Sequence, residues 1–192
     1  DKEKYRNITE KLSMLSPKFS NNVLNSTNSI NDYWMDSEKD VKGLPDNMVA
    51  SAKIKAEEKN NSDKWCFSLD TDFFGIMRFC ENRSVRKDIM TLFQTRCNGG
   101  EFDNSDILKE IAILRREKAK ILGFDSHADF ILDRRMAQDK ETVYNFINEL
   151  LVPSYDKAKE EATEISAFAM NFDGTEKLEA YDLMFYGEKY KN

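Results

Sequence analysis

Apolar residues recur at helical spacing between residues 102 and 138, where the pattern predicts two helices joined by a tight corner. Asp103 or Asn104 is placed to cap the first helix, because a short side-chain oxygen can accept from the free N–H groups of the first turn. Gly123 follows as the expected left-handed residue, and Ser126 with Asp129 resembles a capping box that opens the second helix. The inward stripe of the first helix is formed by Ile107, Ile111, Leu114, Lys118 and Ile121.

Two longer helical patterns each contain a proline. The apolar period is preserved across Pro17 and across Pro153. Proline removes one backbone hydrogen bond, so we predict a kinked helix at each position rather than a break. The Asn-rich segment 25–32 is expected to end the first helix, and Asp139 is expected to cap the second. The two stripes are Tyr5, Ile8, Leu12, Leu15, Phe19 and Val23, then Val143, Ile147, Leu151, Tyr155, Ala158, Ala162, Ile165 and Ala169.

The remaining pattern predicts shorter helices and one small ribbon. Residues 33–35 and 65–69 are short, aromatic and plausible partner strands around Trp34 and Trp65. Helices are expected over 47–59, from an Asp70 or Asp72 cap to Cys80, from Ser84 to the turn at 98–100, and over 178–190 after a turn at Asp173-Gly174. The predicted fold class is mainly α: an irregular multi-helix array with long kinked helices and a minor two-stranded β ribbon.

Composition narrows the possible partners. The chain has 192 residues, 40% of them hydrophobic, and a net charge of −6, which argues against binding to nucleic-acid phosphates. No apolar run approaches the roughly 20 residues that cross a bilayer, and no signal peptide is visible, so a membrane partner is not expected. Cys66, Cys80 and Cys97 lack metal-type spacing. We interpret them as reduced thiols and expect a cytoplasmic protein.

Several phrases of the sequence resemble one enzyme family, in family order and across nearly the whole chain. They are LSMLSPKFSNNVLNSTN, GLPDNMVASAK, CENRSVRKDIMTLFQTR, FDNSDILKEIAILRREKAKILGF, SHADFILDRRMA and LEAYDLMFYGEKY. The chain resembles the helical N-terminal region of the thimet oligopeptidase, oligopeptidase A and peptidyl-dipeptidase family of zinc metallopeptidases. Where that family usually has Trp-Asp followed by two tyrosines, this chain has Tyr181-Asp182 followed by Phe185-Tyr186.

The resemblance implies a function for the parent protein and a limit for this chain. In the family, helices form the walls of a deep narrow channel that admits short, unfolded peptides. The zinc site, built on His-Glu-x-x-His, lies in the segment that would follow this one. We therefore expect residues 1–192 to be a single helical fragment of a larger zinc metallopeptidase, partnered by the missing catalytic segment, with zinc as the parent's cofactor.

The residues themselves offer no complete catalytic or metal site. A zinc peptidase needs two histidines on one helix face and a glutamate that activates water, whereas this chain has one histidine, His127. His127 is expected to cap or pack a helix. The glutamates at 110, 117, 160, 161 and 164 are expected on solvated helix faces. Glu110 and Glu117 are interleaved with the basic cluster of 109–120 at ion-pair spacing. We predict no catalytic, cofactor-binding or metal-ligating residue in this chain, which alone should bind no zinc and cleave nothing.

Three functional hypotheses stay open from the sequence. The first is a non-catalytic part of a zinc metallopeptidase, either an endopeptidase or a peptidyl-dipeptidase. The second is a free-standing helical protein-interaction module, and the third is a purely structural helical domain. Tyr181, Phe185 and Tyr186 are candidates for lining a peptide groove, although their helical spacing favours a core role. As a fragment, the chain should expose apolar helix faces, and we expect Tyr181, Leu183, Phe185 and Tyr186 to be partly exposed or buried by a neighbouring copy.

Overall fold

A computed structural model of the chain describes residues 1–191. Within them the polypeptide forms nine helices and one two-stranded antiparallel sheet, which confirms the predicted mainly-α class. The elements are α1 Lys2–Ile30, β1 Asp32–Met35, α2 Glu38–Val41, α3 Asp46–Glu58, β2 Trp65–Ser68, α4 Leu69–Phe79, α5 Arg83–Gln94, α6 Ser105–Ile121, α7 His127–Leu132, α8 Lys140–Asp173 and α9 Leu183–Lys191.

The chain divides into two compact units. Unit 1 contains Asp1–Leu24 and Cys97–Lys159, and unit 2 contains Asn25–Arg96 and Glu160–Asn192. Helices α1 and α8 each contribute residues to both units. None of the helices in the described part of the chain is long and apolar enough to cross a membrane.

Unit 2 is built around the ribbon and helix α4. The ribbon pairs Trp34 opposite Cys66 and Met35 opposite Trp65, so the predicted strand pairing is confirmed. Phe67 and Leu69 carry the chain from the ribbon into α4 as fully buried residues. Helices α3 and α5 complete the core. Its buried members are Met35, Val41, Leu44, Ala52, Phe67, Leu69, Phe73, Ile76, Met77, Cys80, Val85 and Ile89.

Unit 1 places the α6–α7 corner where the sequence predicts it. Gly123 has a φ of +85°, a left-handed conformation that glycine adopts without strain. The N–H of Phe124 donates to the carbonyl of Ala119 at 3.0 Å, and the Gly123 N–H donates to Lys120 at 3.1 Å. This pair of bonds satisfies the last carbonyls of α6 in a Schellman arrangement. The inward stripe is confirmed at Ile107, Ile111 and Leu114, which are buried together with Ile8 of α1.

Both long helices run through their prolines. Helix α1 continues across Pro17 and α8 across Pro153, with no loop or reversal at either position. The prediction of one long helix at each site is therefore confirmed. Helix α8 begins as predicted after Asp139, whose side-chain oxygen accepts from the Thr142 N–H at 2.7 Å.

Helix α1 ends at Ile30, inside the Asn-rich segment 25–32 as predicted, and Ile30 packs against the core of unit 2. Two other predicted boundaries were wrong. The last helix starts at Leu183 rather than at residue 178, since Asp182 is held by distant partners described below. Helix α4 is preceded by Ser68, not capped by Asp70 or Asp72, and the Asp72 carboxylate instead accepts from the Ser68 N–H at 2.8 Å.

Candidate functional site

Two of the phrases that carry the family resemblance meet in unit 2 at one carboxylate. Arg83 and Arg86 lie in the first turns of α5, and Asp182 immediately precedes α9. Arg83 donates to Asp182 from Nη2 at 2.7 Å and from Nε to both oxygens at 3.1 Å. Arg86 donates from Nη2 at 2.9 Å, and the Glu179 N–H donates at 3.0 Å. We call Arg83, Arg86 and Asp182 the ionic anchor.

Burial makes the ionic anchor unusual for a charged group. The side chain of Asp182 is 0% exposed and that of Arg86 is 1% exposed. Arg86 also donates to the carbonyls of Cys80 and Tyr181, at 2.8 and 3.2 Å. Its guanidinium carbon lies 4.1 Å from the centre of the Phe185 ring. A buried charge is tolerated when it is paired and its hydrogen bonds are satisfied, and both conditions hold here.

The protonation state of the ionic anchor follows from these contacts. Burial on its own raises the pKa of Asp182. The hydrogen bonds from Arg83, the Glu179 N–H and Arg86 outweigh that effect, so the pKa of Asp182 lies below its ordinary value. The hydrogen bond to Asp182 raises the pKa of Arg83. The Asp182 carboxylate and the Arg83 guanidinium are therefore charged across the physiological range.

A second polar group fixes the turn that leads into α9. Tyr186 is buried, and its hydroxyl donates to Asp173 Oδ2 at 2.8 Å while lying 2.7 Å from Thr175 Oγ1. Burial raises the pKa of Tyr186, so the phenol keeps its proton. The turn itself passes through Gly174, whose φ is +80°. Together with the ionic anchor, this group ties residues 173–186 to helices α5 and α8.

The ionic anchor has a structural role and not a catalytic one. Every oxygen of Asp182 already accepts from an arginine or a backbone N–H, and a general acid or base needs an oxygen that can reach a substrate. What the arrangement does is hold three elements, α5, the 175–182 turn and α9, in one fixed relation. Sequence reasoning did not identify the ionic anchor, because its partners lie 96 and 99 residues apart.

His127 occupies the first turn of α7, next to the capping residue Ser126. Its Nδ1 atom is buried and has no hydrogen-bond partner among the described residues. Burial lowers the pKa of His127, and the positive charges of Arg115 and Lys118 lower it further. The imidazole is thus neutral and faces cations, with the Phe130 ring 6.1 Å away. Among the described residues no carboxylate accepts from the buried Nδ1, as one usually does from the second ring nitrogen of a metal-binding histidine.

The residues of this chain do not fit a peptidase zinc site. Such a site uses three protein ligands and leaves one position for water. Within residues 1–191, no group of three or more His, Cys, Asp or Glu side chains is arranged to hold a metal ion. The glutamates considered from the sequence lie apart: Glu117 pairs with Lys4 at 3.1 Å, and Glu164 accepts from Tyr190 at 3.1 Å. That the chain binds no zinc stays a prediction.

The cysteines are free thiols in the structure, with Cys66 and Cys80 buried and Cys97 partly buried. Burial raises the pKa of the Cys80 thiol to about 11 and also raises that of Cys66. A thiol reacts as its thiolate, so burial makes both groups poor nucleophiles.

The candidate groove residues divide between core and surface. Phe185 and Tyr186 are buried, so the prediction that they are exposed was wrong and the core interpretation applies to them. Tyr181 is partly buried, and Leu183 is 48% exposed as expected. Phe185 and Tyr186 pack on Ala169 of α8, which explains their burial.

The large exposed apolar surface lies elsewhere, on the first half of α8. Every residue from 144 to 164 is exposed. We call residues 142–155 the exposed stretch. Its large exposed apolar side chains are Tyr144, Phe146, Ile147, Leu150, Leu151, Val152 and Tyr155.

Comparison with known proteins gives the chain a family. The sequence pattern of Peptidase family M3 matches residues 76–192, a range that includes the ionic anchor and the exposed stretch. Oligopeptidase A from Salmonella typhimurium is 32% identical over 98% of this chain, and oligopeptidase A from Escherichia coli is 31% identical over 98%. Dipeptidyl carboxypeptidase from Escherichia coli is 23% identical over the whole chain.

In each of these three relatives the matched region is 28% of the protein's length, so the chain spans little more than a quarter of the relatives it matches. The match nevertheless extends over more than half of the chain, through α5 to α9, and includes four of the six phrases on which the resemblance rests. The chain belongs to Peptidase family M3, a family of zinc metallopeptidases.

Proposed function

We propose that the chain is the non-catalytic helical part of a zinc metallopeptidase that hydrolyses short peptides, and that its helices form walls of the substrate channel. The observation that carries the proposal is the family match over 76–192. Identity is higher to the oligopeptidase A proteins, at 31–32% for the bacterial and 28–29% for the plant proteins, than to the dipeptidyl carboxypeptidases, at 23–24%. That difference favours an oligopeptidase over an enzyme that removes dipeptides from the carboxyl end.

The number of histidines that could bind zinc supports the non-catalytic role. The whole sequence contains one histidine, and a His-Glu-x-x-His motif requires two. In a metallopeptidase the zinc ion lowers the pKa of its bound water to near neutrality and so supplies the nucleophile. The residues that would hold this ion belong to another segment of the parent. This chain contributes the helices that position and shape the channel wall.

The ionic anchor supports the wall role. A channel wall must keep its shape while peptides pass, and rigid elements position neighbouring groups better than loops do. Arg86 and Asp182 fix α9 against α5 from inside the core, and Tyr186 fixes the preceding turn. Unit 2 therefore has a framework on which a channel surface can be presented.

The proposed partners follow from the same assignment. They are short peptide substrates, bound through the parent enzyme, and the missing catalytic segment. The net charge of −6 gives no support for a nucleic-acid partner, and we propose no membrane partner. A cytoplasmic location is also proposed. One plant relative is named a probable cytosolic oligopeptidase A, while another is named an organellar oligopeptidase A.

The test compares this chain with the product of its complete reading frame on short unstructured peptides. The complete product should cleave them and should lose that activity to a zinc chelator, with recovery on adding zinc. The 192-residue chain should cleave none of them with or without zinc. A complete product that is loaded with zinc yet inactive on every peptide would contradict the proposal, as would chelator-sensitive cleavage by the 192-residue chain.

One observation favours a second candidate, a helical protein-interaction module without catalysis. The exposed stretch presents seven large apolar side chains to solvent, and exposed apolar patches of this kind mark interaction sites. This candidate predicts that the reading frame encodes no His-Glu-x-x-His segment. Sequencing the complete frame separates the two candidates, because a zinc motif in it contradicts the module and its absence contradicts the peptidase.

A further inference from the structure

The exposed stretch is a helix that lacks a cover. Tyr144 is 64% exposed, Ile147 is 48% exposed and Val152 is 72% exposed. Glu149 is the one charged residue between 142 and 155. Isolated helices of this length are marginal in water, and most helical stability in proteins comes from packing of an apolar face. A surface this apolar needs a partner to be stable.

The apolar face of the exposed stretch is formed by four of these side chains. Tyr144, Ile147, Leu151 and Tyr155 follow steps of three, four and four, so they lie on one side of α8, whereas Leu150 and Val152 lie on its flanks and Phe146 lies opposite. Four large apolar side chains that are about half exposed present roughly 400 Å². That area is in the range of exposed apolar patches that are often functional. It is about half of the roughly 800 Å² that one partner contributes to a standard protein interface.

A later part of helix α8 carries the same apolar stripe, and there another helix covers it. The stripe continues in phase from Ile147 to Ile165 and Ala169. At that later part it is covered, since Ala169 is buried against Phe185 and Tyr186 of α9. The same helix thus has one covered part and one uncovered part of similar apolar character. An apolar helix face covers the later part of α8, and the exposed stretch calls for a cover of the same chemistry.

We propose that the exposed stretch is the docking surface for a further segment of the parent peptidase, which covers it with an apolar face. The inference rests on the proposed function, in which the chain is part of a longer protein. The relatives contain further segments of this kind, because about 72% of their length lies outside the matched region. A segment tethered to the same polypeptide acts at an effective concentration in the millimolar range.

A second copy of the chain is disfavoured as the occupant. Each copy carries a net charge of −6, so two copies repel one another. An untethered copy also lacks the advantage of effective concentration. A short peptide is too small to cover the face, because the apolar residues from Tyr144 to Tyr155 extend over three turns of helix.

The first experiment is hydrogen–deuterium exchange of the exposed stretch, measured by mass spectrometry in the 192-residue chain and in the complete product. Exchange should be at least 10-fold slower in the complete product, because a covered helix opens less often. Equal exchange in the two proteins would overturn the proposal. So would slow exchange in the 192-residue chain accompanied by a dimer in light scattering, since the occupant would then be a second copy. A reading frame that encodes no further segment would overturn it as well.

A matched pair of cysteine variants identifies the face. Leu151→Cys lies on the apolar side and Glu149→Cys on the opposite side of α8. In the complete product Leu151→Cys should react with a thiol reagent at least 10-fold more slowly than in the 192-residue chain, while Glu149→Cys should react equally fast in both. Equal protection of the two would contradict docking by the apolar face.

The two proposals fail in different ways. Peptide cleavage by the complete product is measured on the same preparations, independently of exchange and labelling. Cleavage with an unprotected stretch would overturn the docking surface and leave the peptidase assignment intact. Protection without cleavage would do the reverse.

Discussion

The two parts of helix α8 carry similar apolar residues and have opposite surroundings. Near its carboxyl end, Ile165, Phe168 and Ala169 pack with Phe185 and Tyr186 of α9. In the exposed stretch, every residue from 144 to 155 is open to solvent. An amphipathic period therefore identifies a face that needs a cover, and the rest of the fold decides whether that cover is present. The predictions below compare covered and open positions, beginning with the largest expected effect.

The ionic anchor should dominate the stability of the covered part. Asp182→Asn removes the carboxylate charge and leaves Arg86 buried without its counter-ion. Breaking a buried pair in this way costs about 3–5 kcal/mol. Glu179→Gln is the control, since the Glu179 carboxylate pairs with Lys177 at the surface and its loss should not change the free energy of unfolding measurably. Denaturant unfolding of both variants checks the prediction, and equal stability of the two would show that the anchor is dispensable.

A matched tyrosine pair compares the two parts of α8, because Tyr186 of α9 packs on the covered part and Tyr155 lies in the exposed stretch. Tyr186→Phe removes a buried hydroxyl that bonds to Asp173 and Thr175, which should cost about 1–3 kcal/mol. Tyr155→Phe removes a hydroxyl from the exposed stretch and should leave the free energy of unfolding within about 0.5 kcal/mol of wild type. Thermal or denaturant unfolding measures both. Similar losses for the two would mean that the exposed stretch is covered in the isolated chain.

Two glycines test whether local geometry alone holds the α6–α7 corner. Gly123 has a φ of +85° in open space, so Gly123→Ala should cost about 1 kcal/mol through backbone strain alone. Gly187 lies inside α9, where an added Cβ would meet no other part of the chain within 4 Å, and Gly187→Ala should stabilise by about 0.5–1 kcal/mol. Unfolding curves of the pair should shift in opposite directions. A shift in the same direction would contradict the left-handed role of Gly123.

The smallest expected effect is a pH dependence at His127. Its pKa in the folded chain lies below the unfolded value of about 6.5, because burial and then Arg115 and Lys118 disfavour the cation. The unfolded chain therefore binds more protons below pH 6.5, and the free energy of unfolding falls as the pH drops through that value towards the folded pKa. His127→Gln should remove this part of the pH dependence. A histidine NMR titration with a folded pKa above 6.5 would give the opposite sign.

Features that depend on neighbours in sequence were predictable. The corner at Gly123, the Ser126 cap with Asp129 and the start of α8 at Asp139 all follow from side chains within a few residues of the backbone groups they satisfy. The ribbon was predictable because short aromatic runs flanked by turn residues favour strands, as at Trp34 and Trp65.

Features that depend on distant partners were not predictable. Asp182 appears in the sequence as one more polar residue in an amphipathic segment, and its hold on Arg83 and Arg86 moves the start of α9 five residues later than the period suggests. The exact end of α1 within the Asn-rich segment also depends on a tertiary contact, since Ile30 packs against the core of unit 2. In the candidate site, the single histidine of the sequence already predicts that the ligands of a zinc site are missing. The ionic anchor was not predictable, because it depends on tertiary contacts alone.

The most direct test of the account is the zinc content of the purified 192-residue chain after incubation with zinc and dialysis, measured by elemental mass spectrometry against the complete product. The account predicts one zinc ion per molecule of the complete product and a background level in the 192-residue chain, because one imidazole cannot replace three ligands. One tightly held zinc ion per 192-residue chain would contradict the claim that this part of the peptidase is non-catalytic.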